Sequence, residues 1–112
     1  MLIPSTTYEA YQLEANLCYG FVDPTRILIL YALNDHPHNV TELTQHLQIN
    51  QPKVSRHLKI LRDLGMVRTT RQGTTVTYEL ADCRLIKALD ILRGVLRNNV
   101  TNKASLLAEH EI

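Results

Sequence analysis

The chain has 112 residues, room for one domain with a single modest core. Twelve basic and eleven acidic residues leave a formal net charge of +1, which excludes attraction of the whole chain to a polyanion; nucleic-acid affinity would have to come from local clustering. Cys18 and Cys83 do not make a secreted disulfide framework, MLIPSTTYEAYQ lacks the basic and apolar regions of a signal peptide, and no apolar run nears the ~18 residues that span a bilayer, so a cytoplasmic location and no membrane partner are expected.

From the N-terminus, Thr7 to Tyr19 is expected to be helical, with Ala10, Leu13 and Leu17 on one stripe and Tyr11, Ala15 and Cys18 on another. Apolar groups on more than one face predict burial against two neighbours, and Gly20 is expected to end the helix. Asp23-Pro24 is a strong start signal, because Asp caps free backbone amides and Pro fits a first helical turn. The following TRILILYAL, residues 25–33, is apolar enough for a central core helix, and NDHPHN, residues 34–39, reads as a turn.

Thr41 is expected to cap a short helix through Leu47 that turns Leu43 and Leu47 inward. A tight connection, Leu47 to Asn50, leads to a second helix capped by Asn50, with Pro52 in its first turn; this runs to Leu64, and Gly65 suits a left-handed C-terminal cap. Met66–Arg71 and Thr74–Leu80 are β-prone around Gln72-Gly73, which predicts a hairpin. Asp82 is expected to cap a last helix reaching about Asn98, in which Leu85, Leu89, Leu92 and Leu96 repeat at 4-3-4 spacing, the seam of a helix that packs on a partner. The tail from Val100 is polar and then weakly helical. The expected fold is mainly α with a small β-hairpin, a winged helix-turn-helix of order α-α-α-α-β-β-α: one DNA-binding and dimerisation domain over residues 1–99, and a C-terminal tail over 100–112.

Between Gln51 and Tyr78 lie six basic residues (Lys53, Arg56, Lys59, Arg62, Arg68, Arg71) against the single acid Asp63, half the positive charge in a quarter of the chain. On a wheel of ~100° per residue, Val54, Leu58, Leu61 and Leu64 point one way, while Pro52, Ser55, Arg56, Lys59 and Arg62 point broadly the other. Gln51 and Lys53 sit at the exposed N-terminal end. A recognition helix reads base edges with its N-terminal turns: Gln pairs with adenine, Arg with guanine, and Ser with several bases. Lys59 and Arg62 are better placed for phosphates, and Arg71 with Gln72, Gly73 and Thr74 forms a wing tip for the minor groove or the backbone. His57, at the edge of the apolar stripe, is expected to be partly buried and hydrogen-bonded rather than to touch a base. Asn39 and Thr41 either cap or donate to a phosphate.

These segments, FVDPTRILILYAL, TELTQHLQINQPKVSRHLKILRDLGMV and RQGTTVTYEL, resemble the ArsR/SmtB family of small winged-helix repressors over roughly Phe21 to Leu96. The resemblance implies a homodimer made by the first and last helices, binding an inverted repeat in double-stranded DNA and repressing transcription, with Gln51, Ser55 and Arg56 near bases and Arg71 in the wing. Leu13, Leu17, Leu85, Leu89, Leu92 and Leu96 are the expected dimer contacts. Many members have Gly in the turn where this chain has Gln48, a departure that bears on turn geometry. The dimer also has independent support, because one short recognition helix buries too little surface for tight specific binding.

Many members sense metal through thiolates near the start of the helix before the recognition helix; here that stretch is Asn39, Thr41 and Glu42. Others chelate through an Asp-x-His pattern in the last helix; here Asp82 is followed by Arg84, with Val95 and Asn98 at the later positions. No metal or other cofactor is therefore expected. His36-Pro37-His38 lacks a third ligand nearby and reads either as a solvated turn or as a weak metal site. Cys18 and Cys83 are either core filler and an ordinary thiol or a thiol-reactive sensor, Cys83 being favoured as thiolate beside Arg84 at a helix start. Family dithiol sensors place a cysteine in the second helix, near where Tyr31 stands. The inducer is thus unassigned. The alternative function is a winged helix used for dimerisation or protein binding with little specific DNA affinity. No Ser/His/Asp arrangement, HExxH or phosphate-binding Gly loop points to an enzyme.

Overall fold

The computed structural model describes residues 6–110, with side-chain surroundings for 6–100. It divides into two compact units, residues 1–82 and 83–112. The first holds α1 (Thr7–Cys18), a 3-10 turn (Tyr19–Phe21), α2 (Pro24–Asp35), β1 (His38–Asn39), α3 (Val40–Leu47), α4 (Gln51–Asp63), β2 (Val67–Gln72) and β3 (Thr75–Leu80). The second is the helix α5 (Arg84–His110).

Asp23 caps α2 as expected, its carboxylate accepting from the Thr25 amide at 2.7 Å with Pro24 in the first turn. Ile29, Leu30 and Leu33 of α2 meet Leu43 of α3, Val54, Leu58 and Leu61 of α4, and Met66 and Val67 at the start of the wing, all buried. Each such side chain removed from water contributes about 1.5–3 kcal/mol before conformational entropy is counted. The sheet has three antiparallel strands in the order β1-β3-β2, with His38 opposite Tyr78 and Gln72 opposite Thr75.

Three local expectations are corrected. The segment read as a turn contains β1, two residues that become a strand only because β3 offers them an edge. Asn39, not Thr41, caps α3, and it does so in a reciprocal capping box with Glu42 at 2.8 and 3.0 Å. Gly20 does not stop the chain from coiling. It lies inside the 3-10 turn, is buried, and lets the backbone approach Met66 so closely that a Cβ would fall 2.1 Å from the Met66 sulfur. Within the single chain α1 has no buried side chain, and Tyr8, Tyr11, Leu13 and Leu17 are exposed.

In the second unit α5 begins at Arg84, so Cys83 and not Asp82 immediately precedes it, the Cys83 carbonyl accepting from the Ile86 amide at 3.1 Å. Its 27 residues continue past Asn98 through the stretch read as a tail, a rod of about 40 Å. The leucine seam divides along its length. Leu85 is half-buried and Leu89 buried, whereas Leu92 and Leu96 are 55% and 61% exposed, flanked by exposed Ile91 and Val95.

Candidate nucleic-acid interface

α3 and α4 are joined by three residues whose geometry turns on Gln48. Its backbone is left-handed (φ 57°, ψ 42°), the conformation that a Gly would adopt at less cost, and its side-chain amide donates to the Gln45 carbonyl at 2.6 Å. The departure from Gly thus leaves the tight turn intact. Asn50 then caps α4 by accepting from the Lys53 amide at 2.9 Å, and Pro52 occupies the first turn. At the far end the Gly65 and Met66 amides donate to the Arg62 and Leu61 carbonyls, a pairing made possible by the positive φ of Gly65.

With both ends fixed, α4 presents two sorted faces. Val54, His57, Leu58 and Leu61 are buried, whereas Gln51, Ser55, Arg56, Lys59 and Arg62 are exposed and Lys53 is half-buried. The expected DNA-facing set on α4 therefore shares one side of one helix. Arg71 and Gln72 at the end of β2 and Thr74 in the turn are also exposed, beside Gly73 with φ 63°. The wing turn and the start of α3 border an open cleft of about 270 Å³ lined by Asn39, Val40, Thr41, Thr74, Thr75 and Val76.

The basic cluster is partly self-neutralised. Lys59 pairs with Asp63 at 3.0 Å, and Arg68 pairs across the strands with Glu79 at 3.4 Å. Among the described residues Lys53, Arg56, Arg62 and Arg71 are outside any ion pair.

His57 is buried and hydrogen-bonded, as the edge of the apolar stripe predicts, but its partner was not foreseen. Arg26 of α2, only 4% exposed, donates from Nη1 to His57 Nδ1 at 3.2 Å, from Nε to the Gly20 carbonyl at 3.2 Å and from Nη2 to the Tyr19 carbonyl at 2.9 Å. Its guanidinium also lies 4.8 Å from the Tyr19 ring centre. The Asp23 carboxylate stands 3.8 Å from His57 Nε2. The Thr25 amide, then the nearby positive charges, hold the Asp23 carboxyl below the usual carboxylate range; burial pushes the His57 imidazole below its ordinary value. A lone Arg in the apolar run 25–33 was the available signal.

His36 and His38 stack at 4.0 Å between ring centres, with His46 5.9 Å from His38, yet among the described residues no cluster of three His, Cys, Asp or Glu side chains could hold a metal ion. His38 instead spends Nδ1 on the His36 carbonyl at 2.7 Å. Cys18 and Cys83 are free and exposed. Among the described residues no helix is long and apolar enough to cross a membrane.

A short helix-turn-helix with a β-wing on the same small core makes this a winged helix-turn-helix of the kind found in DNA-binding transcriptional regulators. The sequence matches the family described as "Bacterial regulatory protein, arsR family" over residues 23–69. It is 43% identical over 82 residues to the HTH-type transcriptional regulator CmtR of Mycobacterium bovis, covering 73% of this chain and 70% of that protein. It is 45% identical over 77 residues to the HTH-type transcriptional repressor SmtB of Mycobacterium tuberculosis, 69% of this chain and 57% of that one. The crystal structure of M. tuberculosis Rv0081 superposes with a TM-score of 0.75 at 27% identity, over 85% of this chain and 96% of the other. The chain belongs to the ArsR family of transcriptional regulators, and its relatives are regulators rather than enzymes.

Proposed function

We propose that this chain is a homodimeric, sequence-specific repressor that binds an inverted-repeat operator in double-stranded DNA in the cytoplasm. The observation that carries the reading is the sorting of α4, in which Gln51, Ser55 and Arg56 lie exposed near its N-terminal end while Val54, Leu58 and Leu61 anchor it. In the major groove those three meet base edges. Lys53, Lys59 and Arg62 meet phosphates, and Arg71, Gln72 and Thr74 carry the wing to the adjacent backbone or minor groove. Dimerisation is supported by two bare apolar faces, Leu13 and Leu17 on α1 and Leu92 and Leu96 on α5. A two-fold dimer reads half-sites ~34–36 Å apart. The SmtB relative, named a repressor, supports the direction of control. The input is open to thiol chemistry to the extent that Cys18 and Cys83 are exposed.

The test is binding to the DNA upstream of the chain's own gene, measured across salt concentrations, with sedimentation analysis of the free protein. Lys53, Lys59, Arg62 and Arg71 on two half-sites give about eight phosphate contacts and a slope of log K against log salt near −7. A slope near zero, or a monomer at micromolar concentration that binds no duplex, overturns the reading. Those outcomes favour a winged helix used for protein contacts.

A further inference from the structure

The buried contact behind α4 has a direction that the DNA-facing residues do not explain. A guanidinium carries donors only, so the nitrogen that faces Arg26 must accept, and His57 is held neutral with its proton on Nε2. That Nε2–H is turned toward Asp23, the cap of α2, at 3.8 Å. Arg26 meanwhile holds the Tyr19 and Gly20 carbonyls, so one side chain ties the 3-10 turn and the start of α2 to the back of α4. His57 adjoins Arg56 in sequence and lies about one turn beyond Lys53. We propose that Arg26 and His57 are positioning residues of the recognition helix, a proton-sensitive clamp that fixes α4 while His57 is neutral and weakens DNA binding once His57 is protonated.

The proposal rests on α4 being the DNA-reading helix. A proton added at Nδ1 replaces the acceptor by a donor that faces another donor, and it sets two cations about 3 Å apart inside the core. The charges that act on His57 come from both elements: Asp23 and Arg26 of α2, and Arg56 and Lys53 of α4 itself. Asp23 alone favours the imidazolium, and it is already engaged with the Thr25 amide. The three cations oppose it, and so does burial. Protonation is therefore accommodated by moving His57 away from Arg26, and the exposed face of α4 moves with it.

The experiment uses the full chain and a duplex selected by it from a random-sequence pool at pH 7.5. Dissociation constants are measured by anisotropy from pH 7.5 to 5.0, a range that continues well below the ordinary histidine value of 6.5 because that of His57 is lowered, at fixed ionic strength, with circular dichroism confirming the fold at each pH. His57→Gln keeps an acceptor for Arg26 and cannot titrate. The wild type is expected to lose at least about fivefold more affinity than His57→Gln over this range, the lower end of ordinary coupling between two sites. Nitrogen-15 spectra of the imidazoles should give His57 as the Nε2–H tautomer and show it titrating below the ordinary histidine value of 6.5. Equal pH dependence in the two proteins overturns the clamp, and so does an Nδ1–H tautomer. Should His57→Gln fail to fold, the tautomer and titration of the wild type decide the matter. If the pool yields no duplex at pH 7.5, the DNA-reading assignment itself fails, and the clamp's role in DNA binding falls with it.

Discussion

Replacing Gly20 by Ala tests the tight passage between the 3-10 turn and the wing. The added Cβ would lie 2.1 Å from Met66 Sδ, 2.8 Å from its Cε and 3.4 Å from Leu64 Cδ1. Met66 is fully buried, so its flexible thioether must rotate within the core to make room. Overpacking of this kind costs about 1–3 kcal/mol. Gly20 is not at positive φ, so Ala adopts its backbone without strain and recovers roughly 0.5–1 kcal/mol of helical propensity. The net expectation is a loss centred near about 1 kcal/mol. With an m-value of roughly 1–3 kcal/mol/M, the urea midpoint then drops by about 0.3–1 M. Midpoints must be compared at one protein concentration, because dimerisation would add its own stabilisation. In a Met66→Ala background the same Cβ enters space the thioether has left, and Gly20→Ala should become neutral or stabilising. An unchanged midpoint for the single variant, or the same loss in both backgrounds, would refute the close-approach argument.

Arg56→Ala and Gln51→Ala should each weaken binding to the selected duplex by about 1–3 kcal/mol and relax its sequence preference. Lys59→Ala should weaken selected and random duplexes alike and reduce the salt slope by about 1, which competition titrations would resolve. Unchanged affinity of Arg56→Ala for both would refute the placement of the reading face. Asn39→Ala removes the capping box and should cost about 1 kcal/mol in a urea melt, whereas Thr41→Ala, exposed in the first turn, should be close to neutral for stability. Stability should also fall on acidification from pH 7.5. The unfolded chain has an imidazole at its ordinary 6.5 and binds the proton that folded His57 resists, so its contribution is complete above 6.5 and is lost as the pH falls toward the lowered folded value. His57→Gln should flatten that part of the profile; an identical slope would sink the assignment.

What the sequence made legible was local. The Asp23-Pro24 start, the Asn50 cap, the glycine at the end of α4 and the apolar stripe of Val54, Leu58 and Leu61 each depend on neighbours within a turn or two, and each stands as expected. Two misreadings were local, the Asn39–Glu42 cap of α3 and the reach of α5 past Asn98, where neighbouring residues offer competing caps and continuations. The others needed partners far along the chain. β1 is two residues long and exists by pairing with Thr77 and Tyr78. Arg26 finds His57 31 positions away, and Gly20 finds Met66. Periodicity identified the leucine stripe of α5 but not which of its leucines are exposed, since one stripe at constant spacing carries both buried and bare ones.

The internal pairing of Lys59 with Asp63 and of Arg68 with Glu79 bears on how such a protein would search a genome. Two of the clustered cations already sit in exposed, weak ion pairs, so a phosphate there competes with a carboxylate and gains less than at Lys53, Arg56, Arg62 or Arg71. Part of the contact with arbitrary sequence is thus offset, and with a net charge of +1 no long-range field holds the chain on the duplex. Visits to non-target DNA are then short, and occupancy depends on how well α4 fits the bases it meets rather than on how much DNA surrounds it.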